Sequence, residues 1–167
     1  MPEKRTLQRA RKDQREGKSP MTQAGEFVRE EMEHIREGKH GARSAKQAIA
    51  IGLSKARRAG VDLKPPKKGT VSAKTRRSAE SAYRKGRTGE TSVSATRSRA
   101  ITGALKREGH AAASKIALAR QARSAARRRG PAARAAAANK AVRTKGPAER
   151  AAAARKAART RARNRAH

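Results

Sequence analysis

The stretch Ser44 to Gly60, S-A-K-Q-A-I-A-I-G-L-S-K-A-R-R-A-G, specifies both ends of one helix and so constrains the fold more than any other part of the chain. Ser44 followed three residues later by Gln47 is a capping box, whose hydroxyl and amide satisfy backbone N–H groups that an opening helix leaves without partners. Ala45, Ala48, Ile49, Gly52, Leu53 and Ala56 recur along one helical face, while Lys46, Lys55, Arg57 and Arg58 fall off it. Gly60 suits the left-handed conformation that ends a helix, and Val61 can then close over Ala56.

An apolar stripe needs a partner, and the sequence offers one upstream. Ser19-Pro20 reads as an N-cap followed by proline in the first helical position. Met21, Ala24, Val28, Met32 and Ile35 follow at helical spacing, with Phe27 at the edge of that face. Helices over about 20–37 and 45–59, joined through Gly38 and Gly41, are expected to pack as an antiparallel hairpin.

The core this hairpin anchors cannot be large. One Phe, one Tyr and no Trp leave an apolar fraction made mostly of alanine, which buries little area. Lys and Arg number 45 against 13 acids, a net charge of +32. The excess is uneven: residues 1–70 carry a net +9 and residues 71–167 a net +23. Such a density of one sign opposes compaction unless an anion neutralises it. The expected fold class is all-α, a small antiparallel hairpin plus extended, loosely packed or partly disordered basic helices. There is no cysteine, hence no disulfide framework. No apolar run resembles a secretory signal or a membrane span, and a cytoplasmic location is expected.

Along the chain, residues 1–18 read as a solvated basic arm, with Leu7 and Ala10 alone able to share a helical turn. The hairpin occupies 19–63. Lys64-Pro65-Pro66-Lys67-Lys68-Gly69 marks a linker over 64–71, because consecutive prolines enforce extended backbone. Over 72–130 the pattern predicts three weakly amphipathic basic helices, at about 72–85, 92–108 and 111–129. Their few larger apolar groups are Tyr83, then Val93, Ile101 and Leu105, then Ile116 and Leu118. The string R-E-G-K-H-G-A from Arg36 is echoed by R-E-G-H-A-A from Arg107, and a shorter R-E-G-K begins at Arg15. A reused helix-stop device accounts for all three.

The tail over 131–167 is dominated by a repeat. Gly130 to Lys145 matches Gly146 to Arg161 at 12 of 16 positions. Each Gly-Pro is expected to stop one helix and start the next. At roughly 100° per residue, Arg134, Lys140, Arg143 and Lys145 point to roughly 0°, 240°, 180° and 20°. Charge all round a helix leaves no face for a core. Such a segment is marginal as an isolated helix and is expected to gain order on an anionic partner.

Catalytic chemistry finds little support. Gly17-Lys18-Ser19 mimics the end of a phosphate-binding loop, but Lys12 stands where the upstream glycine belongs. Glu31 and His34 form a single Glu-x-x-His, whereas di-iron helices use two copies and further carboxylates. His40, His110 and His167 lack a nucleophile or carboxylate arrangement around them. No enzyme activity, cofactor or metal is expected.

Arginine and lysine at this density fit a polyanion. Membrane helices place Trp, Phe or Leu on the apolar face where this chain has Ala. Single strands are held by stacking on aromatics, which are nearly absent. Duplex DNA is therefore the expected partner, with structured RNA as the alternative, and with no membrane. The expected contacts in the hairpin and linker are Lys46, Lys55, Arg57, Arg58, Lys67 and Lys68. Those of the basic helices are Arg120, Arg123, Arg127, Arg128 and Arg129. In the repeat they are Arg134, Lys140, Arg143, Lys145, Arg150, Arg155, Lys156, Arg159, Arg161, Arg163 and Arg165. A helix-turn-helix reader with Lys46 and Gln47 facing bases is a weaker alternative, since the first helix of the hairpin is acidic.

The string R-E-G-K-H-G-A-R-S-A-K-Q-A-I-A-I-G-L-S-K-A-R-R-A-G, Arg36 to Gly60, resembles a family of small, basic, uncharacterised bacterial proteins. The block R-E-G-H-A-A-A-S-K-I-A-L-A-R-Q-A-R-S-A-A-R-R-R from Arg107 resembles a second block common in them. The resemblance implies a bacterial, cytoplasmic origin and carries over no activity. The Ala/Lys/Arg tail is similar in composition to linker-histone tails and bacterial histone-like proteins, although it favours Arg and lacks repeated Lys-Pro-Ala-Ala units. Together these features predict a histone-like, nucleoid-associated protein that binds duplex DNA by phosphate neutralisation, largely without sequence specificity. The alternatives are a ribosome- or RNA-associated protein, and an adaptor that binds a protein or self-associates through the hairpin.

Overall fold

The computed structural model describes residues 2–89, 94–144 and 146–165, and no strand occurs among them. Among the described residues seven α-helices follow one another: α1 (Lys4–Arg15), α2 (Pro20–Arg36), α3 (Ala45–Arg58), α4 (Ala73–Thr88), α5 (Ala95–Lys106), α6 (Lys115–Thr144) and α7 (Pro147–Arg165). A 3-10 turn, Ala111–Ala113, precedes α6. The chain divides into two units, residues 1–121 and residues 122–167.

In the first unit the caps form as their residues dictate. Ser19 Oγ accepts from the Thr22 N–H at 3.3 Å, and Ser44 Oγ accepts from the Gln47 N–H at 3.2 Å. Gln47 Oε1 completes its box one residue early, accepting from the Arg43 N–H at 2.9 Å. At the far end of α3, Gly60 adopts φ +88°, a conformation open to residues without a Cβ. The Val61 N–H then reaches the Ala56 carbonyl at 3.1 Å and buries the Val61 side chain.

Helices α2 and α3 pack antiparallel, since Ala24 and Phe27 meet Ala56 in one apolar cluster while Met32 and Ile35 meet Ala48 in another. The phase of α2 differs from expectation. Phe27 is fully buried at the centre of the first cluster, whereas Met21 is 62% exposed. The helix turns Ala24, Phe27, Glu31 and Ile35 inward because the one large aromatic ring gains most from burial, and Glu31 is carried in with them.

Among the described residues, 2–18 do not form a solvated arm as expected. Helix α1 packs on α2, with Thr6 and Ala10 buried and Leu7 beside Phe27's cluster. Its attachment is polar as well: the Glu3 N–H donates to Glu30 Oε2 at 3.2 Å, and Arg9 pairs with Glu26 at 3.6 Å. His34 Nε2 and Lys39 Nζ lie 2.9 and 3.3 Å from Glu3 Oε1, and hydrogen bonding to His34 first and Lys39 second holds this carboxyl below its ordinary range.

The segment beyond α3 is non-helical through the two prolines, but its entry is anchored by buried Val61 and Leu63. Helix α4 then packs closely on α3 through Ala79, Ala82 and Gly86, rather than loosely. A Cβ on Gly86 would lie 1.8 Å from the Arg57 carbonyl oxygen, so only glycine lets the two backbones approach so closely. Helix α5 matches the expectation of a weakly packed element, with no buried residue and Ile101 54% exposed. Two residues expected at its start, Ser92 and Val93, lie outside the described residues.

The two echoed R-E-G strings lie against each other. The Gly41 N–H donates to the Leu105 carbonyl at 2.9 Å and the Ala42 N–H to the Gly109 carbonyl at 3.1 Å. Arg36 Nε donates to the Ala113 carbonyl at 3.1 Å, and Ala112 and Ala113 complete the second apolar cluster with Leu118 at its edge. Small residues on both sides permit this contact, which a plain helix-stop device does not require.

Candidate nucleic-acid interface

The second unit comprises α6 from Ala122 and α7, and none of its described residues is buried. Alanine has the strongest intrinsic helix preference, so helix forms here without a core. Gly130 leaves helical geometry at φ 74° and ψ 167°, breaking α6 ahead of Pro131, and Pro147 opens α7. The Gly-Pro pairs punctuate the repeat as expected.

This punctuation yields short rods of cations. Arg123, Arg127, Arg128, Arg129, Arg134, Lys140 and Arg143 are all exposed, as are Arg150, Arg155, Lys156, Arg159, Arg161, Arg163 and Arg165 of α7. Lys145 lies outside the described residues. Among the described residues, no Lys or Arg from Arg97 onward pairs with a carboxylate; on α4, Arg76 pairs with Glu80 at 3.3 Å. Some guanidinium groups bond locally, Arg128 to Ser124 Oγ at 3.2 Å and Arg161 to the Ala157 carbonyl at 3.3 Å, which leaves most of their donors outward.

The first unit separates its expected contacts into two groups. Lys46, Arg58, Lys67, Lys68 and Arg120 are exposed. Arg57 and Lys55 do not belong with them. The Arg57 side chain is buried, its Nε donating to the Leu63 carbonyl at 3.0 Å, and burial lowers its pKa. It clamps the chain after α3 instead of facing solvent. Lys55 Nζ lies 2.7 Å from Glu31 Oε2 and 3.4 Å from Glu30 Oε1, so its charge is matched inside the fold.

Three of the α2 acids, Glu26, Glu30 and Glu31, are thus turned toward α1 and α3, while Glu33 pairs with Arg29 on α2 itself, which reduces the repulsion they would present to a phosphate backbone. Of the two residues named for the helix-turn-helix alternative, Gln47 has its side-chain carbonyl oxygen engaged in the cap, whereas Lys46 is exposed. Sequence reasoning missed exposed cations of this unit, Arg43 and, on α4, Lys74, Arg77 and Arg84. At about 100° per residue the three on α4 fall within roughly one quarter of the helix circumference. That spacing is visible in the sequence.

A second gathering of side chains lies between α2 and the loop before α3. Glu31 has neither carboxylate oxygen accessible nor engaged in an aligned hydrogen bond, although Lys55 Nζ and His40 Nε2 lie 2.7 and 3.3 Å away. His34, one turn on, meets His40 edge-on with ring centroids 6.1 Å apart. The Glu31–His34 pair is therefore partly buried and joined by His40.

The fold and the charge distribution define an all-helical, strongly cationic protein of two units. A model of a family of unknown function, DUF6496, matches residues 14–69, about a third of the chain. The match contains the whole Arg36–Gly60 block and the α2–α3 hairpin, whereas the block from Arg107 lies beyond it. Neither a curated protein nor a solved structure matches the chain. No helix among the described residues is long and apolar enough to cross a membrane.

Proposed function

We propose that this protein is a histone-like, nucleoid-associated protein that binds duplex DNA largely without sequence specificity by neutralising phosphates. The observation that carries this reading is the run of exposed cations from Arg97 to Arg165 with no described carboxylate partner. A polypeptide that pairs many of its carboxylates inside the fold yet leaves this long run of cations unmatched suits an external polyanion. Phosphate contacts give affinity without base information, and each releases a counterion.

Charge on every side of α7 suits contact with phosphates from more than one direction, and hence bridging of duplexes. The preponderance of Arg over Lys in the tail favours structured RNA as the second reading, because guanidinium planes stack on unpaired bases and fork onto phosphates. Competition of labelled duplex DNA against ribosomal RNA at fixed salt, with a salt titration of each, separates the two. The expected outcome is a steep salt slope and DNA retained against an equal mass of RNA. A shallow slope, or complete displacement by RNA, overturns the DNA reading.

A further inference from the structure

Between α2 and the 37–44 loop lies a buried carboxylate, Glu31, whose Oε2 is paired with Lys55 but whose Oε1 is poorly satisfied. Glu31 is fully buried, and both of its oxygens lack an aligned donor. One ligand atom each from Glu31, His34 and His40 lies within 4.8 Å of the others. The His40 tautomer is set by its surroundings: Nδ1 lies 3.0 Å from the Gly41 carbonyl, which only accepts, so Nδ1 carries the proton. In neutral His40 this leaves a bare lone pair on Nε2, facing Glu31 Oε1 at 3.3 Å. A lone pair and a carboxylate oxygen repel unless a proton or a cation sits between them.

We propose that Glu31, His34 and His40 form a binding site for a divalent transition-metal ion of the zinc class. Two imidazoles and one carboxylate are a donor set such ions take, with a fourth position left for water or a further oxygen. Glu3 Oε1, 2.9 Å from His34 Nε2, supplies a second carboxylate at the rim. A histidine that donates its other ring N–H to a backbone carbonyl is the usual outer support of such a ligand, and His40 has it in the Gly41 carbonyl.

Ligand atoms around one zinc ion sit about 3.3 Å apart, so closure requires side-chain movement of roughly 1–1.5 Å and no change of backbone path. Lys55 stays on Glu31 Oε2, leaving Oε1 for the ion and balancing part of the carboxylate charge. Binding would tie the 37–44 loop to α2. That loop also holds the Leu105 and Gly109 carbonyls, so the ion would brace the contact between the two R-E-G strings.

The test uses the full chain, free of any histidine tag and of nucleic acid, stripped with chelator and titrated with Co²⁺ and then Zn²⁺. The expected result is one Co²⁺ per chain with visible absorption of low coordination number, displaced by Zn²⁺, and a rise in the melting temperature of the first unit. Joint His34→Gln and His40→Gln substitution should weaken binding by at least about 100-fold. His110→Gln should leave it unchanged. Should the double variant lose helix by circular dichroism, His40→Cys serves instead, since a thiolate keeps a ligand in place and adds a sulfur-to-cobalt charge-transfer band. The proposal is overturned if the wild-type chain shows no saturable uptake at a stoichiometric excess of metal. It is equally overturned if the folded double variant binds as the wild type does, or if His40→Cys binds cobalt without the sulfur band.

Discussion

The two units carry the same excess of cations in different ways. Up to residue 121 the chain pairs carboxylates with bases across helix boundaries, as in Glu26 with Arg9 and Glu31 with Lys55, and closes two apolar clusters around Phe27 and Ile35. From residue 122 onward it has one acid, Glu149, and no buried residue among those described. The difference shows that basicity alone does not prevent folding. A unit with four acids on one helix and a single buried Phe can fold, while one with alanine for its apolar residues forms helices with no described residue buried.

The sharpest way to break this comparison is to remove residues 131–167, cutting at the natural helix break beside Gly130. Eleven cations leave with that segment. If six or more of them reach phosphates, the slope of log affinity against log salt becomes shallower by about 5. The melting transition of the remaining chain should move by less than about 0.5 kcal/mol, because nothing buried is removed. Fluorescence anisotropy across a salt series and a denaturant melt read the two effects. An unchanged slope would mean that the first unit carries the binding.

Phe27→Ala attacks the other side. The ring is fully buried between Ala10, Ala24, Ala56, Val61 and Leu63, small groups with little freedom to collapse onto the space it leaves. A loss of about 3–5 kcal/mol is expected in a urea melt. DNA affinity at low salt should fall far less, since the tail does not depend on that cluster. A parallel collapse of both properties would show that the units are not independent.

The extent to which the fold could be read in advance depended on how local its determinants are. The α2–α3 hairpin is written in short-range signals: Ser19 and Ser44 as caps, Gly60 as a terminator, stripes at helical spacing. The phase of α2 is harder, because Met21, Ala24 and Val28 define a face about as apolar as Ala24, Phe27 and Ile35, and only the partner helices decide between them. The docking of α1 rests on Thr6, Leu7 and Ala10, too little apolar area to stand out in a basic leader. The contact of Gly41 and Ala42 with residues 105–109 joins distant parts of the chain, and the repeated R-E-G gives the places without the pairing. The candidate site divides likewise. The tail cations follow directly from composition, whereas the inward turn of Lys55 and Arg57, and the approach of His40 to Glu31, depend on tertiary contacts.

Adjacent Arg57 and Arg58 give the finest test, since the two share chemistry and sequence context and differ only in where the fold puts them. Arg57→Ala leaves the Leu63 carbonyl without its donor and opens space beneath the chain leaving α3, so a loss of about 1–3 kcal/mol is expected. The salt slope of DNA binding should not change. Arg58→Ala should do the reverse: stability held within about 0.5 kcal/mol, and a slope shallower by about 1 if this exposed side chain reaches a phosphate. The conservative Arg57→Lys separates charge from geometry, because an ammonium keeps the charge but lacks the planar fork that reaches the Leu63 carbonyl. If Arg57→Ala shifted the salt slope and left the melt alone, the guanidinium would be acting outside the fold, and the division between matched and unmatched cations would have to be drawn elsewhere.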